Sequence, residues 1–333
     1  EAGGDWYDVL DLDPDHIALV VGDVVGQGAP AAAVMGQLRS ALAAYLLQGQ
    51  PPAQVLEHLN RFSARIPGAK CTTATVMILN SSTGELCWAR AGHPPPLVID
   101  PHGQPRYLND GRGPCLGVVS NRLAFRQGHG HIAPGSCVLL YSDGLIERRG
   151  EVIDDGLDRL AAVSAELCTA TPALIIDELL KQMLDGRVRP DDIALVIAKL
   201  LPPTLLLSTP ALATELAGIR RQVRTWSAQA GLPEDLASDL VHCINEAAEN
   251  CVEHAYPDRP GDLELELSYI SGRQITARVS DFGRWRPPPA DKGYRGRGLD
   301  LIHKLSEHAD INPTPGGTTV RLQLTPPTSR PAH

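Results

Sequence analysis

Four aspartates in the first half of the chain fall in short motifs, and three of these motifs adjoin an apolar run of strand length. They are Asp5 in GGDWYD, Asp23 in GDVVGQG, Asp143 in LLYSDG and Asp191 in PDDIALV. Carboxylates are hard oxygen donors, and several of them close together repel one another unless a divalent cation neutralises them. The pattern therefore predicts a site for Mg²⁺ or Mn²⁺, and a pair of such ions can direct water at phosphorus.

Glycines around Asp23 fit the same chemistry. Gly22, Gly26 and Gly28 let the backbone turn sharply, so that a main-chain carbonyl can join the carboxylates as a ligand. The alternative is that each Asp-Gly pair marks only a turn. For one motif alone both interpretations stand, but four such motifs together favour the metal site.

A different group of side chains occupies the second half. Apolar residues recur every three or four positions over Pro233–Tyr256, which predicts one long amphipathic helix. Glu246 and Asn250 lie four residues apart and therefore share a face. The carboxylate can accept a hydroxyl proton and the amide oxygen can ligate Mg²⁺, as a kinase requires. The alternative is a solvated helix face.

Glycines also precede a second predicted helix, Leu299–Leu305. Backbone N–H groups at a helix N-terminus bind phosphate, and glycines there let the ligand approach closely. Arginine and lysine side chains cluster around this segment, as binding of a triphosphate requires. The sequence contains no G-x-x-x-x-G-K-[ST] motif, which excludes a P-loop. The glycines are Gly293, Gly296 and Gly298.

The elements that must position these residues form two groups. In the first half, strand-like runs come in succession and helical segments come in pairs, which favours antiparallel sheets covered by helices. Pro202 and Pro203 separate two strand-like runs and mark the boundary. We expect two domains, residues 1–201 and 204–325, followed by a disordered tail, 326–333. The motif that begins at Gly3 indicates that this chain is a piece of a longer protein.

Composition limits the functional class. The formal charge is -9 and no run of eighteen apolar residues is present, so the sequence indicates neither nucleic-acid binding nor a membrane span. Seven scattered cysteines without a C-x-x-C pair argue against a disulfide framework and a zinc site. We expect a cytoplasmic protein with reduced cysteines.

The first half resembles the metal-dependent protein serine/threonine phosphatases of the SpoIIE or RsbU-like branch. The matching segments are GGDWYD, GDVVGQG, TTATVMILN, AGHPPPL, LLYSDGLIE and PDDIALV, in family order. This resemblance implies an αββα sandwich that begins upstream of GGDWYD, with two Mn²⁺ or Mg²⁺ ions. It implies that Asp23 bridges both ions, that Asp143 and Asp191 complete one, and that the Val24 carbonyl and Asp5 serve the other.

Several neighbouring residues receive other roles. We interpret Asp8 and Asp192 as capping or solvated acids, and His93, which precedes three prolines, as a rigid loop anchor. Gln27 stands where relatives often have histidine. No arginine lies near Asp5 in the sequence, so we expect metal to hold the substrate phosphate.

The second half resembles the GHKL ATPase fold, in particular the RsbW-like anti-sigma-factor serine kinases. The resemblance rests on NEAAENCVEHAYP, VSDFGRWRPP, RGRGLDLI and GGTTVRL. It implies a two-layer α/β sandwich that binds ATP and Mg²⁺, with Glu246 as general base and Asn250 as Mg²⁺ ligand. It also implies a nucleotide pocket formed by Asp281 and Gly283 at adenine, Gly296, Gly298 and Leu299 at the phosphates, and Thr318 at the adenine end.

Together these resemblances predict a partner-switching regulator with opposed activities. The kinase domain would phosphorylate a STAS-type anti-sigma-factor antagonist and bind a sigma factor, and the phosphatase domain would hydrolyse the resulting phosphoserine or phosphothreonine. A homodimer is compatible with this prediction. One alternative is a working phosphatase fused to a degenerate ATPase module that serves only as a binding scaffold, since Trp285 replaces a glycine common in relatives. Another is a phosphatase for small metabolites.

Overall fold

The chain divides into two compact units, Glu1–Leu200 and Leu201–His333. The structure, a computed structural model, describes residues 3–118, 125–168, 170–184, 192–257, 261–270, 274–284 and 298–325. None of the described helices is both long enough and apolar enough to cross a membrane. Each unit has its own hydrophobic core and is considered separately below.

The first unit combines antiparallel strands with two helix pairs. In chain order its elements are β1 (Trp6–Asp11), β2 (His16–Asp23), α1 (Gly28–Leu47), α2 (Pro52–Ser63), β3 (Thr73–Asn80), β4 (Glu85–Ala91), β5 (Leu97–Ile99), β6 (Pro105–Tyr107), β7 (Arg112–Gly113), β8 (Gly128–His131), β9 (Cys137–Tyr141), a 3₁₀ turn (Asp143–Leu145), α3 (Ile153–Glu166), α4 (Pro172–Leu184) and β10 (Leu195–Lys199).

These strands form two stacked sheets. The front sheet has the order β1-β2-β3-β4-β7, with β8 also paired to β4, and the back sheet has the order β10-β9-β5-β6. Successive side chains of a strand point to opposite faces, and β2 shows the result. Val20 packs in the core under α1 and α2, whereas Leu19 and Val21 pack between the two sheets. A third cluster joins the back sheet to α3 and α4, which confirms the predicted αββα sandwich.

The second unit is a two-layer sandwich, as the sequence predicts. Its sheet has the order β11-β12-β13-β15-β14, and one face packs against three helices around a single core. The elements are β11 (Leu205–Pro210), α5 (Leu216–Ala230), α6 (Glu234–Asn250), β12 (Asp262–Ile270), β13 (Gln274–Asp281), α7 (Gly298–Leu305), β14 (His308–Thr314) and β15 (Gly317–Leu324).

The fold differs from the sequence-based expectation in one helix and in several strands, among them β1 and the short strands β5–β8. The helix predicted over Pro233–Tyr256 is α-helical only as far as Asn250 and continues as one π-helical turn, Cys251–Ala255. Such turns are short and do not end the helix, so the apolar pattern of the sequence does not distinguish them from a continuing α-helix. Strand β1 was not predicted, because Tyr7 and Val9 on its outer face are exposed apolar residues that obscure the alternation.

Trp88 on β4 is the largest fully buried side chain of the first unit, and its indole Nε1 donates to the Asp110 carbonyl at 3.0 Å. We predict that Trp88→Ala lowers the free energy of unfolding by about 3–5 kcal/mol, because truncating a buried aromatic residue leaves a cavity. The control is Tyr7→Ala, whose side chain is 58% exposed and should change stability by less than about 1 kcal/mol. Hydrogen exchange of peptides from the first unit under increasing urea measures both. Equal decreases in the free energy of unfolding for the two variants would contradict the assignment of Trp88 to the core.

Candidate functional site

Three of the predicted carboxylates meet at one end of the first unit. Asp23 is the last residue of β2, and the pairing of Trp6 with Gly22 places Asp5 beside it in the front sheet. Asp143 begins the 3₁₀ turn that follows β9 of the back sheet. The two sheets therefore contribute carboxylates to the same end of the sandwich. Asp191, the fourth predicted ligand, lies outside the described residues.

The protonation behaviour of Asp5 shows how closely these groups approach one another. Burial raises the pKa of Asp5 to about 8, a hydrogen bond from Ser142 opposes the rise, and a hydrogen bond with Asp23 and the charges of Asp23 and Asp143 add to it. A carboxyl group keeps its proton at neutral pH only where its anion is poorly accommodated. Among the described residues, the side chains that shift this pKa are neutral or acidic, and their oxygen donors fit a hard divalent cation.

Within the described residues, which do not include Asp191, no group of three or more His, Cys, Asp or Glu side chains is arranged so that it could hold a metal ion. The observation that favours a cation is a different one, namely the crowding of Asp5, Asp23 and Asp143. The backbone beside them is also shaped for close approach. A Cβ on Gly4 would overlap the Val24 carbonyl oxygen, and Val24 N donates to the Gly4 carbonyl at 3.2 Å. Because Gly4 has no side chain, the Val24 carbonyl, which is the predicted main-chain ligand, can lie at the edge of the cluster.

Ser142 is a member of this site that the sequence analysis did not single out. Its Oγ donates to Oδ2 of Asp5 at 2.6 Å and accepts from the Ala194 N–H at 2.9 Å. The hydroxyl thereby links Asp5 in the front layer to the segment that leads into β10. Its position directly before Asp143 in LLYSDG is the sequence feature that could have indicated that Ser142 belongs to the site.

Asp8 and Asp192, which the sequence analysis interprets as capping or solvated acids, have different surroundings. Asp8 accepts a two-pronged contact from Arg39 of α1, with both N–O distances 3.1 Å, so it is an ion-pair partner rather than a cap. Asp192 is exposed, but its carboxylate lies against Gly3, where a Cβ would overlap it. Its carbonyl lies against Gly144 in the same way. Asp192 therefore borders the carboxylate cluster.

His93 is buried, with 5% of its surface exposed, and both ring nitrogens are engaged. Nε2 lies 3.0 Å from the Tyr141 carbonyl, which can only accept, so Nε2 carries the proton. Nδ1 then accepts from the Thr73 hydroxyl at 2.7 Å. Burial lowers the pKa of His93 to about 3, which keeps the ring neutral. This geometry agrees with a rigid anchor rather than an acid or base.

The second unit brings the predicted catalytic pair together with a glycine. A Cβ on Gly298, at the start of α7, would overlap the Glu246 carboxylate and lie 3.9 Å from Nδ2 of Asn250. Burial and the negative charge of Glu249 raise the pKa of Glu246. Nδ2 of Asn250 is buried and has no hydrogen-bond partner among the described residues. A buried donor without a partner costs stability, so this cleft fits a ligand that supplies an acceptor.

A second cluster of predicted residues surrounds the buried Asp281. Its Oδ1 accepts from the N–H groups of Gly283 at 3.0 Å and Thr318 at 3.2 Å. A Cβ on Gly283 would overlap the Ala255 carbonyl, which the π-helical turn presents. Cys251, which follows Asn250, donates its thiol hydrogen to the Ala247 carbonyl at 3.2 Å, and burial together with the nearby Asp281 carboxylate raises its pKa. Cys251 therefore lies between the two clusters. Leu299 packs at the edge of the core from α7, and Gly296 lies outside the described residues.

Comparison with protein families follows this division of the chain. The profile described as Stage II sporulation protein E (SpoIIE) matches residues 13–201. The chain belongs to the SpoIIE family. A histidine kinase-like ATPase domain profile matches residues 209–324, so the SpoIIE-type domain is followed by an ATPase-type domain.

Individual relatives agree with this assignment. The chain is 27% identical over 207 residues to the phosphoserine phosphatase RsbU of Bacillus subtilis, covering 60% of each protein. It is 27% identical over 224 residues to protein IcfG of Synechocystis, covering 58% of this chain and 35% of that one. The chain thus spans less than two thirds of both relatives. A crystal structure of the RsbU and RsbW domains of a Mycobacterium tuberculosis protein is 33% identical and has a TM-score of 0.57, covering 98% of this chain and 88% of that chain.

The pKa of His93 generates a test of its burial. An unfolded histidine gains a proton below its ordinary pKa of 6.5, whereas folded His93 gains one only near 3, so stability falls as pH falls through this window. The replacement His93→Gln removes this pH-dependent contribution to the free energy of unfolding. We predict that the stability difference between wild type and variant shrinks by about 2 kcal/mol from pH 7 to pH 5. Urea unfolding followed by hydrogen exchange measures it, and a pH-independent difference would contradict the assignment.

Proposed function

We propose that the SpoIIE-type domain is a metal-dependent phosphatase that hydrolyses phosphoserine or phosphothreonine on a STAS-type anti-sigma-factor antagonist. The crowding of Asp5, Asp23 and Asp143 carries this proposal, because such a cluster is stable in its ionised form only with bound cations. The similarity to the phosphoserine phosphatase RsbU supports the substrate class. A small-metabolite phosphatase has no comparable support.

The residues of the cluster would serve as ligands to different ions. Asp23 would contact two Mn²⁺ or Mg²⁺ ions, Asp143 and Asp191 would complete one site, and Asp5 and the Val24 carbonyl would serve the other. When bound, the ions supply Lewis-acid activation of water and positive charge for the departing oxygen. Asp5 must lose its proton to act as a ligand, since the carboxylate and not the acid binds metal. Ser142 keeps donating to Oδ2 and orients the carboxylate.

For the ATPase-type domain, we propose serine/threonine kinase activity toward the same antagonist, with a sigma factor as a further partner. Glu246 would accept the hydroxyl proton, and Asn250 would ligate Mg²⁺ while its buried Nδ2 meets a phosphate oxygen. Asp281 would accept the adenine amino group, supported by Gly283 and Thr318. Gly296, Gly298 and Leu299 would line the phosphates at the start of α7. The observation that carries this proposal is the close approach of Gly298 to the Glu246 carboxylate, where a Cβ would overlap, beside the buried Nδ2 of Asn250.

The phosphatase proposal predicts a strict dependence on Asp23. Replacement Asp23→Asn should lower kcat/KM for a serine-phosphorylated antagonist by about 10²–10³-fold in Mn²⁺ or Mg²⁺, because a shared ligand supports both ions. Asp11→Asn, at the opposite end of the neighbouring strand β1, serves as the control and should retain activity. Phosphate release from the full chain measures both. Wild-type activity that survives complete removal of metal by a chelator would refute the proposal.

The kinase proposal predicts that Glu246→Gln lowers phosphate transfer from Mg²⁺-ATP to the antagonist by about 10²–10⁴-fold, because transfer loses its base. ATP binding should persist in this variant, since the carboxylate acts on the acceptor hydroxyl. Glu253→Gln, an exposed residue on the π-helical turn, should transfer normally. Binding of antagonist or sigma factor without any Glu246-dependent transfer would identify the domain as a scaffold instead. Asp23→Asn in the same chain prevents loss of the transferred phosphate during the assay.

A further inference from the structure

The buried side chain of His93 connects the strand that pairs with Asp23 to the strand that leads to Asp143. Thr73, the first residue of β3, is the cross-strand partner of Asp23 in the front sheet. Tyr141, the last residue of β9 in the back sheet, lies two positions before Asp143. His93 bonds the Thr73 hydroxyl with one ring nitrogen and the Tyr141 carbonyl with the other. The imidazole thus spans the gap between the sheets beside the carboxylate cluster.

Most of the remaining contact between the sheets is not directional, with the exception of the Ser142 hydroxyl, which donates to Asp5 at 2.6 Å. The intervening core consists of apolar side chains such as Leu19, Met77 and Val138. Apolar packing resists separation of the layers but sets no preferred hydrogen-bond distance between them. A rigid, neutral imidazole with two engaged nitrogens does set such a distance, because each bond has a narrow range of length and angle.

The loop that carries His93 is itself fastened to both sheets. Arg90 of β4 is buried, and it donates to the His93 carbonyl at 3.1 Å and to the Asn109 carbonyl at 2.9 Å. The hydroxyl of Tyr141 donates to the Pro95 carbonyl at 2.8 Å. Prolines at positions 94 to 96 restrict the backbone further. The ring therefore has little freedom to follow a shift of either sheet.

We infer that His93 is a positioning residue, which acts through Thr73 and the Tyr141 carbonyl to set the spacing of Asp23 and Asp143 and hence the affinity for divalent ions. The inference rests on the proposed phosphatase function, and it assigns His93 no proton transfer and no contact with the substrate. Groups that orient metal ligands typically change metal affinity by about 10–100-fold when removed. Loss of the bridge therefore weakens metal binding more than it slows turnover at saturating metal.

Adjacent threonines provide a matched test. Thr73→Val removes the hydroxyl that His93 binds, whereas Thr72→Val removes a buried hydroxyl that donates to the Ala69 carbonyl at 3.0 Å. Both changes keep the branched shape of the side chain. Titration of the full chain with Mn²⁺, followed by the electron paramagnetic resonance of the free ion, should show Kd raised about 10-fold in Thr73→Val. Thr72→Val should bind as wild type does.

Variants of the histidine add a second measurement. His93→Ala should raise the Mn²⁺ Kd by about 10–100-fold, and His93→Gln, which still offers a donor and an acceptor, should recover part of that loss. At saturating Mn²⁺ each variant should regain most of the wild-type kcat, so that the defect appears in the Mn²⁺ concentration needed for half-maximal rate. A purely structural role would lower the melting temperature without this recovery.

The outcomes separate the inference from the proposed function. Wild-type Mn²⁺ affinity in folded Thr73→Val and His93→Ala would overturn the positioning role while leaving the phosphatase intact. Equal losses in Thr73→Val and Thr72→Val would overturn it as well, since they would report general destabilisation. If the wild-type chain neither binds Mn²⁺ nor releases phosphate, the proposed function fails and the inference fails with it.

Discussion

Repulsion among carboxylates at the end of the αββα sandwich is the constraint on which the first unit depends. Asp23 ends β2 and Asp5 directly precedes β1 of the front sheet, whereas Asp143 follows β9 of the back sheet, so their approach requires the two sheets to stack in one register. Burial, and to a smaller extent the charges of Asp23 and Asp143, raise the pKa of Asp5 to about 8, so its ionised form is disfavoured without a cation. The apolar cluster between the sheets provides the cohesion that opposes the repulsion.

The second unit arranges its site around a local departure from helical geometry. The π-helical turn Cys251–Ala255 directly follows Asn250 and presents the Ala255 carbonyl to Gly283. Insertions of this kind occur frequently at functional sites, because they redirect side chains without ending the helix. The turn therefore links the end of the helix with Glu246 and Asn250 to the strand end with Asp281.

Sequence patterns predicted the parts of this molecule that repeat or that lie at strand ends. The apolar run of β2, which is buried on both faces of the front sheet, and the helical spacing in α6 follow from sequence patterns. Asp23 ends β2, and Asp5 and Asp143 lie next to the ends of β1 and β9. Contacts between distant segments were not predictable in this way. The bond from Ser142 to Asp5 spans 137 positions, and the links from His93 to Thr73 and Tyr141 depend on how the sheets stack. Strand β1 was missed because its exposed apolar residues disguise the period-two pattern.

We predict that divalent ions occupy the carboxylate cluster in the folded chain. Anomalous diffraction at the manganese absorption edge, from crystals of the full chain grown with Mn²⁺, measures this most directly. The expected result is anomalous density bounded by Asp23, Asp143 and Asp191, with further density beside Asp5 and the Val24 carbonyl. Crystals without such density, in which Asp23 and Asp143 point away from each other, would contradict the account.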